Sequence, residues 1–277
     1  MNEATTQRFA PLSLYVQAAL DRRTRETPAQ RSKFARVRHA RVEYEKKLRR
    51  VARTVGAITR GLAEGAPLDN VAEVQEALRR YARIVGGWAR RAAASMLADV
   101  MRRDEAAWAD VARNMSRALA DEIRSAPTGE VTRQLLEEQV ELITSLPLEA
   151  AARVHELAMR AVETGARADE LAEMIMQTGH VTASRAANIA HTETSRASSV
   201  LLQARAEHVG SPGYFWRTSR DADVREDHRI LEGQFVPWNE PPIADRRTGT
   251  RAHAGCIWRC RCWAEPVIPE FSAEAAA

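Results

Sequence analysis

The segment "RAHAGCIWRCRCW", Arg251 to Trp263, holds all three cysteines of the 277-residue chain within seven positions, together with His253. Thiolates and imidazoles are the donors zinc prefers, four to a tetrahedral structural site. The candidate ligands are therefore His253, Cys256, Cys260 and Cys262, with His228 as a more distant fifth. Their spacing, H-x2-C-x3-C-x-C, differs from the paired C-x2-C pattern that signals zinc most directly. If Arg259 to Trp263 is a strand, side chains two apart share a face, so Cys260 and Cys262 point the same way and can ligate one ion. A disulfide between such close neighbours would be badly strained. Two metal-free readings stay open: buried thiols that only pack, and a nucleophilic cysteine, which needs a basic partner and a cleft.

Upstream, "RDADVREDHRILEG" gathers Asp221, Asp223 and Asp227 near His228. Carboxylates beside a histidine are the raw material of metal-dependent hydrolysis, although they are also ordinary on polar turns. No second histidine follows at helical ligand spacing. "WRTS" and "TET" resemble fragments of ADP-ribosyl-transferring toxins, without the paired-glutamate loop of those enzymes. A metal-dependent nuclease or a toxin-like transferase working through the C-terminal module is thus the alternative to a non-catalytic role.

The net charge of +4 is unevenly placed. Arg22 to Arg53 carries 13 basic and 3 acidic residues, a local +10, which leaves 28 basic against 34 acidic elsewhere. A stretch of this kind attracts nucleic acid or another acidic partner, and it is also how a solvated helix face looks. Its candidate nucleic-acid contacts are Arg36, Arg38, Arg41, Lys46, Lys47, Arg49 and Arg50.

Long helices have to position these groups. After Asp69, a good N-cap, Val71, Val74, Leu78, Tyr81, Val85 and Trp88 repeat at 3-4 spacing, a seam for helix-on-helix packing. Gly86-Gly87 predicts a kink or break beside Trp88. Apolar positions resume at Trp108, Val111, Met115, Leu119 and Ile123, and Ala126-Pro127-Thr128-Gly129 ends that element. Further runs surround Val140, follow Pro147 and span Ala168 to Met176. A last helix, capped by Thr182 or Ser184, reaches Gly210. Its face of Ala186, Ala190, Glu193, Ala197, Val200 and Ala204 puts a carboxylate in a small-apolar seam, where it needs a partner.

After Gly210 the chain turns rich in Trp, Pro, Gly and Cys, with short β-like runs at Tyr214-Phe215-Trp216 and Cys262-Trp263. A unit of about 60 residues rarely builds enough core alone, so it calls for a staple or a neighbour. The reading is mainly α: a long-helix N-terminal region at 1–179, a small α+β C-terminal module at 180–270 with zinc as its candidate staple, and a disordered tail at 271–277. The first residues lack a secretory layout, and no apolar run approaches the roughly 18 residues of a membrane span. A reducing cytoplasm is the expected site of synthesis, which favours thiols or metal ligands over disulfides.

The order of landmarks "IAHTETSRA", W-R-T with D-x-V-R-x-x-H-x-x-L-x-G, and "CRCWAEPV" resembles the phage Mu F-like minor head proteins, or phage head morphogenesis domains, over roughly residues 180 to 270. Thr192 and Glu193 match the family's Thr-Glu pair. Asp223, Arg225, His228 and Gly233 match its D-R-H-G run, and Cys260 with Cys262 its closing cysteine pair. His191, Glu232 and Arg259 stand where arginine, aspartate and asparagine are frequent, and Cys256 is an addition. The resemblance implies a minor capsid component without catalysis, present in the phage head and, during assembly, in the host cytoplasm. Its implied partners are the portal protein, other capsid or scaffold components and double-stranded DNA, with no membrane. It also implies an ion pair from Glu193 to Arg217 or Arg225 that ties the module to the preceding helix.

Overall fold

The computed structural model describes residues 37–63, 67–113 and 117–268. Arg36 and the basic stretch before it, Met115 and the expected tail at 271–277 lie outside the described residues, as do the side chains of Asp69 and Leu119. Long helices come first: α1 (Arg38–Ala63), α2 (Pro67–Ala112), α3 (Arg117–Ser125), α4 (Thr128–Thr164) and α5 (Ala168–His208). The small elements follow as β1 (Gly213–Arg217), α6 (Glu226–Leu231), β2 (Phe235–Pro237), β3 (Ile243–Asp245), β4 (Thr250–Arg251) and β5 (Trp263–Pro266). The chain is mainly α with a small sheet-containing C-terminal region, as the residue pattern predicts.

The helices outrun their expected breaks. α2 passes through Gly86 and Gly87 without interruption. α4 contains Pro147, which has no N–H to offer the Ile143 carbonyl. In the turn ahead of it the hydroxyls of Thr144 and Ser145 bond the Val140 and Leu142 carbonyls, each at 3.0 Å. Thr182 caps nothing; it lies within α5 and bonds back to the Thr178 carbonyl at 2.8 Å. In each case burial of one long apolar stripe outweighs a local penalty of about 1–3 kcal/mol. The expected end at Gly210 does hold: its φ is +77°, and Ser211 N–H closes back on the Ala206 carbonyl at 2.9 Å.

The chain forms two compact units. One comprises residues 38–98 and 133–194. Its core includes Val55, Val74, Leu78, Ala150, Val154, Leu171 and Ile175, so the 3-4 seam of α2 is a packing seam. Within it, the buried Tyr44 hydroxyl donates to Gln139 Oε1 at 3.0 Å, and Gln139 Nε2 donates to Glu193 Oε2 at 2.9 Å. Glu193 therefore finds a polar partner in a seam of alanines.

The other unit comprises residues 99–132 and 195–268. β1 lies at its centre, all five residues buried, between antiparallel β2 and β5. Tyr214 faces Val236 on one side, and Trp216 faces Ala264 on the other. β3 and β4 form a separate antiparallel pair. Trp108 of α2, Ile123 of α3, and Leu202, Ala206 and Val209 of α5 complete the core around Tyr214, Trp216 and Trp238. Burying each such ring is worth about 1.5–3 kcal/mol, and the strands alone are too short to cover them. The module thus gains a neighbour as well as a candidate staple.

Candidate metal centre

Three of the five sequence-predicted ligands meet. His228, Cys260 and Cys262 are all buried, with their donor atoms within 4.8 Å of one another. His228 Nδ1 lies 3.7 Å from Cys260 Sγ and 3.4 Å from Cys262 Sγ. Among the described residues this is the one cluster of three or more His, Cys, Asp or Glu placed to share an ion.

The sequence folds this way for local reasons. His228 sits on the buried side of the six-residue α6, with its ring edge-on to Trp216 at 5.4 Å. Its Nε2 lies 3.1 Å from the carbonyl of Ala244 in β3. A carbonyl can only accept, so in the neutral ring Nε2 carries the proton and the Nδ1 lone pair faces the two sulfurs. The cysteines arrive from the loop before β5. That loop is not the strand expected at Arg259 to Trp263, because β5 begins only at Trp263 and Arg259 has a φ of +50°. Cys260 N–H instead bonds the Ile257 carbonyl at 3.0 Å, and Cys262 N–H points at Cys260 Sγ at 3.3 Å. A tight turn, rather than strand alternation, brings both thiols to one side.

The loop is pinned from outside. Ser199 donates to the Ala254 carbonyl at 2.7 Å, and Ala254 N–H donates to the Tyr214 hydroxyl at 3.1 Å. Gly255 follows at a φ of +84°, and a Cβ there would fall 2.3 Å from Ser199 Oγ. Only glycine meets both demands.

The other two candidates lie elsewhere. His253 is engaged at both ring nitrogens, by the Tyr214 hydroxyl at 3.2 Å and the Trp238 carbonyl at 3.0 Å. Burial lowers its pKa and so favours the neutral ring, an effect partly offset by the hydrogen bond to the Trp238 carbonyl. Cys256 is partly exposed, and no cysteine is in a disulfide. The acidic residues also have other tasks. Asp221 and Asp223 hold Arg261, at 2.6 and 3.4 Å, and Asp227 accepts from Arg246 N–H at 3.0 Å.

The three donors fit three of the four corners around a tetrahedral ion. Zinc bonds of about 2.3 Å to sulfur and 2.0–2.1 Å to nitrogen put those donors roughly 3.6 Å apart, close to the observed pair of separations. The two thiols differ in their surroundings. A hydrogen bond from Cys262, and then His228, draws Cys260 well below the usual thiol range against the effect of burial. Cys262 is pushed up by that same contact and by burial.

Beside the trio, Glu232 accepts from Thr218 N–H at 2.7 Å, the Thr218 hydroxyl at 2.8 Å and Arg220 at 3.0 Å. Burial raises its pKa, yet those hydrogen bonds leave it net below the ordinary value. The buried Arg217 pairs with Glu265 and, at 3.5 Å, with Glu232. Arg225 donates to the Trp258 carbonyl at 2.6 Å. Both arginines named for the Glu193 ion pair thus have contacts within their own unit. Sequence reasoning missed Arg205, buried on α5, which pairs with Asp104 at 2.9 Å and donates to the Ile123 carbonyl at 2.9 Å.

Residues 152–265 match the family described as Phage Mu protein F like protein, so this segment is similar to that family's domain. That segment contains Thr192-Glu193, the Asp223–Gly233 run and the Cys260–Cys262 pair. A Haemophilus influenzae protein described as uncharacterized is 30% identical over 174 residues, which is 61% of this chain and 38% of that relative's length. No solved structure matches the chain.

Proposed function

We propose that the chain is a minor head component of a tailed phage or prophage whose Mu F-like module is held shut by a structural zinc ion at His228, Cys260 and Cys262. The supporting observation is that this trio, on α6 and the turn before β5, is buried at 2–6% exposure inside the region that matches the family. Zinc there would supply cross-linking of two segments more than thirty residues apart and would keep both cysteines as thiolates. Three protein donors is also the number in many catalytic zinc sites. Burial argues for the structural role, and so do the nearest carboxylates, since Asp227 and Glu232 are each engaged by backbone N–H groups.

The proposed partners are the portal protein and other capsid or scaffold components, met in the host cytoplasm during assembly and retained in the head. The exposed Arg38, Lys46, Arg49 and Arg50, with the half-buried Arg41 and Lys47, form the basic side of α1 proposed to lie against packaged duplex DNA. Lys46 and Arg49 are partly neutralised by Glu43 and Glu45, both at 2.7 Å, which weakens the face without reversing its sign. The test is to sediment full-length protein with purified procapsids of the phage or prophage that encodes it. Co-sedimentation that is lost on Cys260→Ser supports the proposal. Turnover of a nucleic-acid or nicotinamide substrate that His228→Ala abolishes without unfolding the chain would overturn it.

A further inference from the structure

Trp258 is 56% exposed, whereas Trp108, Trp216 and Trp238 are buried in the core. It sits at the tip of the Ile257–Cys260 turn, which the Cys260 N–H to Ile257 carbonyl bond closes. The next residue, Arg259, holds a φ of +50°, a left-handed position that glycine or asparagine fills at little cost. Its guanidinium stands 5.9 Å from the Trp258 ring centroid. Arg225 approaches the same ring at 6.0 Å and fixes the turn through its bond to the Trp258 carbonyl. The chain therefore tolerates backbone strain to place an arginine beside an indole that solvent reaches.

We propose that this turn is a stacking platform for an unpaired nucleotide of a nucleic-acid strand, with the base on Trp258 and the phosphate held by Arg225 and Arg259. The two halves of the site ask for one ligand that is planar, aromatic and anionic. Guanidinium forks match phosphate geometry, and an exposed indole accepts any base by its π-face. An acidic peptide supplies the charge but not the ring. A duplex supplies phosphate but keeps its bases stacked, so a ring at a turn tip reaches a base only at a strand end or an opened step. The site shares no residue with the basic side of α1 or with the ion-pair cluster of Arg217, Glu232 and Glu265.

The probe is a fluorescein-labelled 15-nucleotide oligo(dT), followed by anisotropy with the full-length chain. The expected result is that Trp258→Ala weakens binding about tenfold while the circular dichroism spectrum is unchanged. Trp258→Phe, which keeps a ring, retains most of the affinity. Arg259→Gly lowers affinity and cuts the log–log salt slope by about 0.7, yet raises Tm because the turn no longer holds a strained residue. The Trp258→Ala loss persists when Arg38, Arg49 and Arg50 are all changed to Gln, which assigns it to the turn. Unaltered oligo(dT) binding by Trp258→Ala would overturn the proposal. So would competition by polyglutamate of equal charge as effective as unlabelled oligo(dT), the result an acidic-peptide site gives.

Discussion

Asp104 and Arg205 form a salt bridge at 2.9 Å with side chains only 4% and 7% exposed, 101 positions apart in the chain. Arg205 also donates to the Ile123 carbonyl, so one guanidinium joins α2, α3 and α5 within the unit that carries the module. Arg205→Ala leaves Asp104 buried and unpaired and is expected to cost about 3–5 kcal/mol in urea unfolding. The double change Asp104→Leu with Arg205→Met should recover most of that loss, because a well-packed apolar pair replaces two buried charges. Equal losses in the single and double variants would show that the pair contributes no coupling.

The same carboxylate makes stability depend on pH. Burial raises the Asp104 pKa from 3.8 to about 6, against the opposing pull of Arg205. A folded-state pKa above the unfolded one means that this contribution is fully present below about pH 4 and is lost as pH rises through 6. The shift corresponds to about 3 kcal/mol, seen as a fall in unfolding free energy between pH 4 and 7. Asp104→Asn, which cannot ionise, should flatten that segment of the curve. A profile unchanged by Asp104→Asn would refute the assignment.

His253 and His228 are both buried or half-buried imidazoles, and they should separate cleanly. His253→Ala removes a partner from the Tyr214 hydroxyl and from the Trp238 carbonyl, with an expected loss of about 2–3 kcal/mol and unaltered metal content. His228→Ala should lower stability and metal content together. Loss of metal on His253→Ala would place His253 in the site.

The basic side of α1 has its own signature. Duplex DNA binding by the full chain should weaken steeply with salt, and each of Arg38→Gln, Arg49→Gln and Arg50→Gln should reduce the log–log slope by about 0.9. A flat salt dependence would remove duplex DNA from the proposed partners.

How much of this was legible in the residue string follows from which contacts are local. The 3-4 seam from Val71 to Trp88, the end of α5 at Gly210 and the strand at Tyr214–Trp216 are set by spacing and by φ preferences, so they read directly. Cys260 and Cys262 were legible as a pair facing one ligand, though by strand alternation when the chain uses a turn. Arg259 is the reason, since nothing local announces an arginine at a φ of +50°. The continuity of α5 through Thr182 was hidden because a threonine reads as a cap until its hydroxyl is seen bonding Thr178. Nothing in the sequence singles out Arg205, and only a partner 101 residues away makes it a core residue. Trp108 and Ile123 likewise gave no sign that they complete the core around Trp216.

The most direct measurement is elemental analysis of the full-length chain purified without chelator, paired with its melting temperature. The account predicts one equivalent of zinc per chain, retained by Cys256→Ser and His253→Ala. Zinc should be lost, with a marked fall in Tm, on Cys260→Ser, Cys262→Ser or His228→Ala. A metal-free chain that melts at the same temperature with and without added zinc, and is indifferent to those three changes, would contradict it.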